Sequence, residues 1–306
     1  MTMYPFGRGW ARATPYVCMA VGMLVFVVFA FGPSLATVVF SFTDISGVPD
    51  TSWHFIGLAN YQEFFSTLTL PDSLILPALQ HTLVFAASVT LIQNALALLV
   101  ASLLNAHLRG RVFVRALVFL PTVLGVTVIG LTWTLVLNPV GGPAANFLNL
   151  FGITTSFFGD YTWAFPLCIA VQIWSALGFS TVIYLAGLQA IPGELREAAS
   201  IDGANAWQAY RAVVFPLLAP TVTINVLLAI IGSLQTWQII YILTNGQQNT
   251  SVLALQIFQY GFSNGPAGNG SLRQGYAASL AMVQFALVLV VALVFLFYLR
   301  RREVQL

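Results

Sequence analysis

Residues that could do covalent chemistry are few here, and none are grouped for it. The histidines His54, His81 and His107 are scattered over different loops and the ends of apolar stretches. Cys18 and Cys168 lie inside apolar runs, where a thiol behaves as a small hydrophobe and offers no metal-ligand spacing. No H-E-x-x-H, C-x-x-C or G-x-S-x-G spacing occurs, and with no lysine anywhere the phosphate-binding G-x-x-x-x-G-K-[ST] loop is impossible. If ATP is used, another chain binds it. What remains are amides, hydroxyls and aromatic rings set in apolar surroundings: Gln93 and Asn94; Gln172, Trp174, Ser175, Ser180 and Tyr184; Asn225, Ser233, Gln235, Trp237, Gln238 and Tyr241. Such groups exchange hydrogen bonds and stack on flat faces without carrying charge, so the chemistry they suit is recognition of a neutral, hydrogen-bonding solute. The same residue types also join helices to one another and anchor spans at the headgroups.

The elements that must hold these groups are membrane helices. The chain is 58% hydrophobic and 7% charged, against about 25% charged in an average soluble domain. Six charge-free stretches have the roughly 20 residues needed to cross a bilayer: Pro15 to Phe42, His81 to Leu104, Leu117 to Leu137, Trp163 to Leu188, Leu217 to Leu243 and Ala277 to Leu299. The first follows Arg8 and Arg12 but is too long for the apolar region of a secretion signal, so it reads as a retained span. No basic tract of the kind that neutralises nucleic-acid phosphates is present: net charge is +2 and there is no lysine. Intramembrane charges of the kind that mark ion and proton pathways are essentially absent.

Arginine distribution predicts orientation. Arg8 and Arg12, then Arg109, Arg111 and Arg115, then Arg196 and Arg211, then Arg300, Arg301 and Arg302 fall in alternate segments, and basic loops stay in the cytoplasm. Only Arg273 falls on the other side, with Asp44, Asp50, Glu63, Asp72 and Asp160. The expectation is an all-α integral membrane protein of six transmembrane helices, N-in and C-in, in a single domain over residues 1–306. Three outward loops, Thr43 to Gln80, Asn138 to Thr162 and Thr244 to Gly275, are rich in turn residues, and Asn60 to Phe65 reads as a short interfacial helix.

The cytoplasmic segment at about 190–216, between spans 4 and 5, reads as a helix-turn-helix. Glu194 and Glu197 sit in the first turn after Pro192, Gly203 can end the helix in the left-handed conformation, and Asn205 with Gln208 forms a capping-box pair. Trp207, Tyr210 and Val214 then make an apolar stripe. The sequence Glu197-Ala198-Ala199, then Asp202-Gly203-Ala204, then Phe215-Pro216 with Pro220, resembles the EAA loop of binding-protein-dependent ABC importer permeases. The resemblance implies a coupling interface for an ATPase at Glu194, Glu197, Ala198, Ala199, Asp202, Gly203, Ala204, Trp207 and Pro216.

Other segments are similar to the carbohydrate-uptake branch, of the maltose and glycerol-phosphate permease type. They are Phe55-Ile56-Gly57-Leu58-Ala59-Asn60-Tyr61 with Phe64, Tyr241-Ile242-Leu243-Thr244-Asn245-Gly246, and Tyr276-Ala277-Ala278. The branch's Gly-Gly-Pro is replaced by Gly246-Gln247-Gln248. The resemblance implies a permease subunit that performs no catalysis and carries a sugar or neutral glycoside inward by alternating access. Its expected partners are ATPase subunits holding ATP and Mg, a second similar permease, an extracytoplasmic solute-binding protein and membrane lipid. Trp174 and Trp237 become candidates for stacking on a sugar ring. The competing readings are a permease for another solute (glycerol-phosphate, an amino acid or a polyamine) and a membrane-embedded lipid enzyme, which would need a nucleophile, carboxylate pair or metal set.

Overall fold

The first described helices bury none of their described side chains. In the computed structural model, which describes residues 8–70, 73–106, 110–263, 265 and 272–300 (side chains from residue 14), α1 spans Arg8–Phe26, a π-helical turn spans Val27–Phe31 and α2 spans Gly32–Phe40. The π-turn stands where Pro33 follows, a residue with no N–H to continue the α-helical ladder, so the register widens rather than breaks. Then come α3 (Ala59–Thr67), α4 (Ile75–Asn105), α5 (Arg111–Val123), α6 (Val126–Val136), α7 (Pro143–Asn149) and α8 (Ala164–Ala190). They are followed by α9 (Gly193–Ile201), α10 (Ala206–Ala209), a second π-turn at Tyr210–Val214, α11 (Phe215–Leu217), α12 (Ala219–Leu234), α13 (Gln238–Thr244), α14 (Leu253–Phe262) and α15 (Gln274–Arg300). The second π-turn again precedes a proline, Pro216. Among the described residues there is no strand, only an isolated bridge between Thr43 and Phe55. His107, Arg109, Asp72, Arg301 and Arg302 lie outside the described residues, as do the side chains of Arg8 and Arg12.

Among the described residues four helices are long and apolar enough to cross a membrane, Thr14–Phe40, Ile75–Asn105, Ala164–Ala190 and Gln274–Arg300, and two bent pairs raise the number to as many as six. The bends depart from the straight spans expected from the sequence. Leu117 to Leu137 is divided: α5 and α6 meet at 104° because Leu124 and Gly125 are both extended, just after Pro121. Leu217 to Leu243 is divided too. α12 stops at Leu234, where Gln235 and Thr236 donate backbone hydrogen bonds to Gly232 and Ser233, only three residues back. The hydroxyls of Ser233 and Thr236 meanwhile donate to Ala229 and Gly232, a competition that bends helices. At its other end α12 turns from Ala206–Leu217 by 66°. The loop from Thr244 to Gly275 contains a short helix, α14, and before that helix the chain takes left-handed conformations at Asn245, Gly246, Gln248 and Asn249.

The described chain groups into two compact units, residues 1–65 with 259–282, and residues 66–258 with 283–306. In the first, buried Asn60 donates from its amide to the carbonyls of Ser41 (3.0 Å) and Thr43 (2.9 Å), and Tyr61 donates to the Ser41 hydroxyl (2.8 Å). Carbonyls orphaned at the end of α2 are thus satisfied from α3. A backbone donor on His54 holds the Asp44 carboxyl below the usual carboxylate range. Arg273 donates to the two Glu63 carboxylate oxygens from its two terminal guanidinium nitrogens and lies 4.5 Å from the centre of the Tyr276 ring, and the grip on Glu63 holds the Arg273 pKa above the usual range. Gly275 donates to the Ile45 carbonyl at 2.8 Å, and an added Cβ there would stand 2.0 Å from the Thr43 carbonyl oxygen. Gly275→Ala should therefore push residues 43–45 away, at ~1–3 kcal/mol. Limited proteolysis checks this: cleavage within residues 44–56 should rise sharply, whereas Gly261→Ala, whose added Cβ would meet only the Ala277 Cβ at 3.4 Å, an ordinary contact, should raise it less.

In the second unit α4 packs most extensively on α8 and then on α12, around Phe85, Val89, Cys168, Val171, Ile240 and Leu255 at one end and Ala97, Ala101, Tyr184, Leu185, Leu188 and Leu218 at the other. Small residues allow close approach: Gly178 on α8 lies against the backbone of α5 at Val118 and Phe119.

Candidate solute pathway and coupling hairpin

Polar residues in the spans divide into two sets by what they touch. Gln93 donates to the Ser180 hydroxyl (2.7 Å), Tyr184 donates to the Asn94 carbonyl oxygen (2.7 Å), and Asn225 donates to the Ser180 backbone carbonyl (3.1 Å). All five are buried, and they knit α4, α8 and α12 together. Ser233 bonds within its own helix. Double-mutant cycles put such interhelical bonds at ~0.6 kcal/mol each. These groups have partners already, so a solute would have to displace them.

The other set faces a cavity of about 500 Å³ in the second unit, within the range of small-molecule sites. Gln172 and Ser175 of α8, Thr236 of the α12 break and Gln238 at the start of α13 line it, and Pro121, Thr122 and Leu124 from the α5 end of the other break close it. No lining residue is charged. Ser175, Thr122 and Thr236 spend their hydroxyl protons on carbonyls of their own segments, which leaves oxygen lone pairs to accept. Among the described residues the side-chain amides of Gln172 and Gln238 make no hydrogen bond, so each offers a donor pair and an acceptor. The arrangement can bind a neutral polyhydroxyl solute and has no group that could attack one. Interrupted helices bordering a polar cavity are also where membrane proteins tolerate irregular backbone.

The remaining expected pathway residues lie elsewhere. Trp237 is stacked on Phe258 at 4.2 Å and meets Tyr241 edge-on, so one face of its indole is covered. Trp174 packs edge-on against Trp133 and lines a separate, almost wholly apolar groove between α4 and α8. Gln235 and Tyr241 are exposed and do not line the cavity. Sequence reasoning missed Thr236, although it stands between two residues it selected, and missed the Pro121 to Gly125 break, whose proline and glycine were its signal.

The hairpin after α8 has the local geometry its residues dictate. α9 closes with Ala204 N–H on the Ala199 carbonyl, six-to-one across the end, while Gly203 takes φ +83°. Asn205 accepts from Gln208 N–H, and the Gln208 side chain accepts from Asn205 N–H, a complete capping box. No residue of α9 is buried; Ile201 is 86% exposed and Trp207 68%. Glu194, Glu197 and Asp202 make no ion pair among the described residues. Ala198 and Ala199 present small side chains on the same helix, with Ala204 and Pro216 beyond it. The tip is thus apolar and acidic, and among the described residues it is left bare.

Residues 93–304, which contain both the cavity and the hairpin, match the family described as binding-protein-dependent transport system inner membrane component. The chain belongs to this family. It is therefore an ABC transport permease subunit, a multi-pass component of the inner membrane and a transport protein rather than an enzyme. Its relatives are similar over nearly their whole lengths. The multiple sugar-binding transport system permease protein MsmF of Streptococcus mutans is 30% identical over 90% of this permease and 91% of that chain. The sn-glycerol-3-phosphate transport system permease protein UgpA of Agrobacterium fabrum is 30% identical over 91% and 92%, and the trehalose/maltose transport system permease protein MalF of Thermococcus litoralis 30% over 90% and 89%. The permease also shares its fold with a chain of a bacterial ABC transporter involved in the import of the acidic polysaccharide alginate, at 22% identity and TM-score 0.79 over 96% of this chain and 98% of that one.

Proposed function

We propose that this permease moves a sugar or related neutral glycoside through the cavity at the two helix breaks. The observation that carries the reading is the pair of unbonded amides, Gln172 and Gln238, facing an uncharged cavity. The sugar systems named for MsmF and MalF point to the same solute class. The relation to UgpA favours a glycerol-phosphate reading, but a phosphorylated solute calls for a cation, and no lining residue supplies one.

In the same proposal the chain is a single permease domain of six spans, N-in and C-in, each bent pair counting as one crossing. The hairpin docks on an ATPase subunit through Glu194, Glu197, Ala198, Ala199, Asp202, Gly203, Ala204, Trp207 and Pro216. ATP and Mg belong to that subunit, a second permease subunit completes the pathway, and a solute-binding protein delivers from outside. Hydrolysis would rock the hairpin, and α8 and α12 would carry the motion to the cavity walls.

Replacing Gln172 and Gln238 together by Leu should lower uptake of the transported sugar about tenfold or more, given ~1 kcal/mol for each neutral hydrogen bond. The protein should reach the membrane in normal amount and still co-purify with its ATPase. Unchanged uptake by this double variant would remove the cavity from the pathway.

A further inference from the structure

Behind the hairpin the structure holds a second polar cavity, about 420 Å³, that solute movement does not require. Ser102 and Asn105 at the end of α4, Arg196 and Ser200 on α9, and Tyr210 line it. Arg196 and Ser200 are one helical turn apart and so share a face. Arg196 makes no ion pair among the described residues, although Glu194 and Glu197 are close in sequence. Ser102 and Ser200 spend their hydroxyl protons on the Leu98 and Arg196 carbonyls, so the donors left facing the chamber are the Arg196 guanidinium, the Asn105 amide and the Tyr210 hydroxyl, a set that suits an anion with several oxygens.

An adjoining groove of about 540 Å³ shares Ser102 and Tyr210 with this cavity, and its other walls are apolar: Ala95, Leu98, Leu99 and Leu103 along α4, with Trp207 beside them. The Ser102 and Tyr210 hydroxyls, 3.3 Å apart, stand where the two meet, and the Trp207 ring stacks on Tyr210 at 6.0 Å. Tryptophan and tyrosine with one apolar and one polar side belong at the headgroup level. A polar chamber with one cation thus opens onto an apolar groove that runs up a helix long and apolar enough to span the membrane.

We infer that the two cavities together bind one anionic phospholipid, its phosphate against Arg196 and an acyl chain along Ala95 to Leu103, so that the lipid joins the hairpin to the end of α4. A free phosphate would fill the chamber but leave the groove without an occupant. A neutral lipid would fill the groove but leave Arg196 without a counter-charge. The inference goes beyond the proposed transport function, and lipid binding does not depend on which solute or ATPase the permease serves.

The test is native mass spectrometry of the full-length chain, purified in mild detergent, stripped of lipid and titrated with dioleoyl phosphatidylglycerol, dioleoyl phosphatidylcholine or inorganic phosphate. One phosphatidylglycerol per chain should be retained in preference to phosphatidylcholine. Arg196→Gln should lower that retention about fivefold, the effect of one basic residue near an anionic headgroup. Ala95→Trp, which fills the groove without touching the cation, should lower it independently. Equal retention of the two lipids, or retention indifferent to both variants, overturns the site. Displacement of phosphatidylglycerol by millimolar inorganic phosphate would make this an anion site and overturn the lipid assignment. Failure here leaves the transport reading standing, since only lipid retention is measured.

Discussion

Gly203→Val should abolish ATP-driven uptake while leaving the protein in the membrane. At φ +83° a β-branched residue is forced into a conformation it almost never adopts, and non-glycine residues held in such regions cost ~1–3 kcal/mol. Nothing lies within 4 Å of an added Cβ at this position, so the loss cannot come from a clash. The backbone must relax instead, and the bonds it would break are those that close α9, Gly203 N–H to Ser200 and Ala204 N–H to Ala199. The tip carrying Glu197 and Ile201 would then be turned away from the ATPase proposed to dock on it. Gly203→Asn is the informative companion, because asparagine tolerates the left-handed region and should keep most of the uptake. Uptake and ATPase co-purification, measured together, decide the matter: if the valine variant transports normally, the hairpin does not couple.

Gly178→Ala should damage the fold itself. Its new methyl group would stand 2.6 Å from the Val118 carbonyl oxygen and 2.9 Å from the Phe119 Cα, and backbone atoms cannot swing aside as a side chain can. α5 would have to move off α8, and small-to-large changes of this kind cost ~1–3 kcal/mol, more when backbone is struck. Phe119 and Thr122, which line the cavity, move with it, so uptake should fall as well. Thermal unfolding of the purified protein gives the comparison. Gly232→Ala, in a helix interior with nothing within 4 Å, should be neutral or slightly stabilising, whereas Gly178→Ala should lower the Tm by several degrees. Equal Tm values for the two variants would mean that α5 is not held against α8 as described.

Local signals were legible where they are carried by a few adjacent residues. The hairpin followed from Pro192, Gly203, Asn205 and Gln208, each of which has one strong local preference. The apolar lengths around α4, α8 and α15 were legible for the same reason. The bends were harder, since Pro121 with Gly125, or Ser233 with Thr236, is common in straight spans, and whether the chain yields there depends on what packs beside it. The division of polar residues was not legible at all. Gln93 and Gln172 are both glutamines in apolar helices, and only the position of Ser180 across the interface makes one a strut and leaves the other facing a cavity. Asn60 was selected by motif, but its bonds to Ser41 and Thr43 depend on a fold-back that spacing does not reveal.

The first unit is assembled from the beginning of the chain and from residues 259–282, with residues 66–258 made in between. At a ribosome speed of ~5–20 residues per second, roughly 10–40 s pass before Arg273 and Gly275 exist to meet Glu63 and Ile45. Asn60 bridges that delay, because it locks the end of α2 with bonds available as soon as α3 has formed. Biogenesis of this permease is thus ordered by its own hydrogen bonds: an early clasp that waits, and a late one that closes only after residues 66–258 have been made.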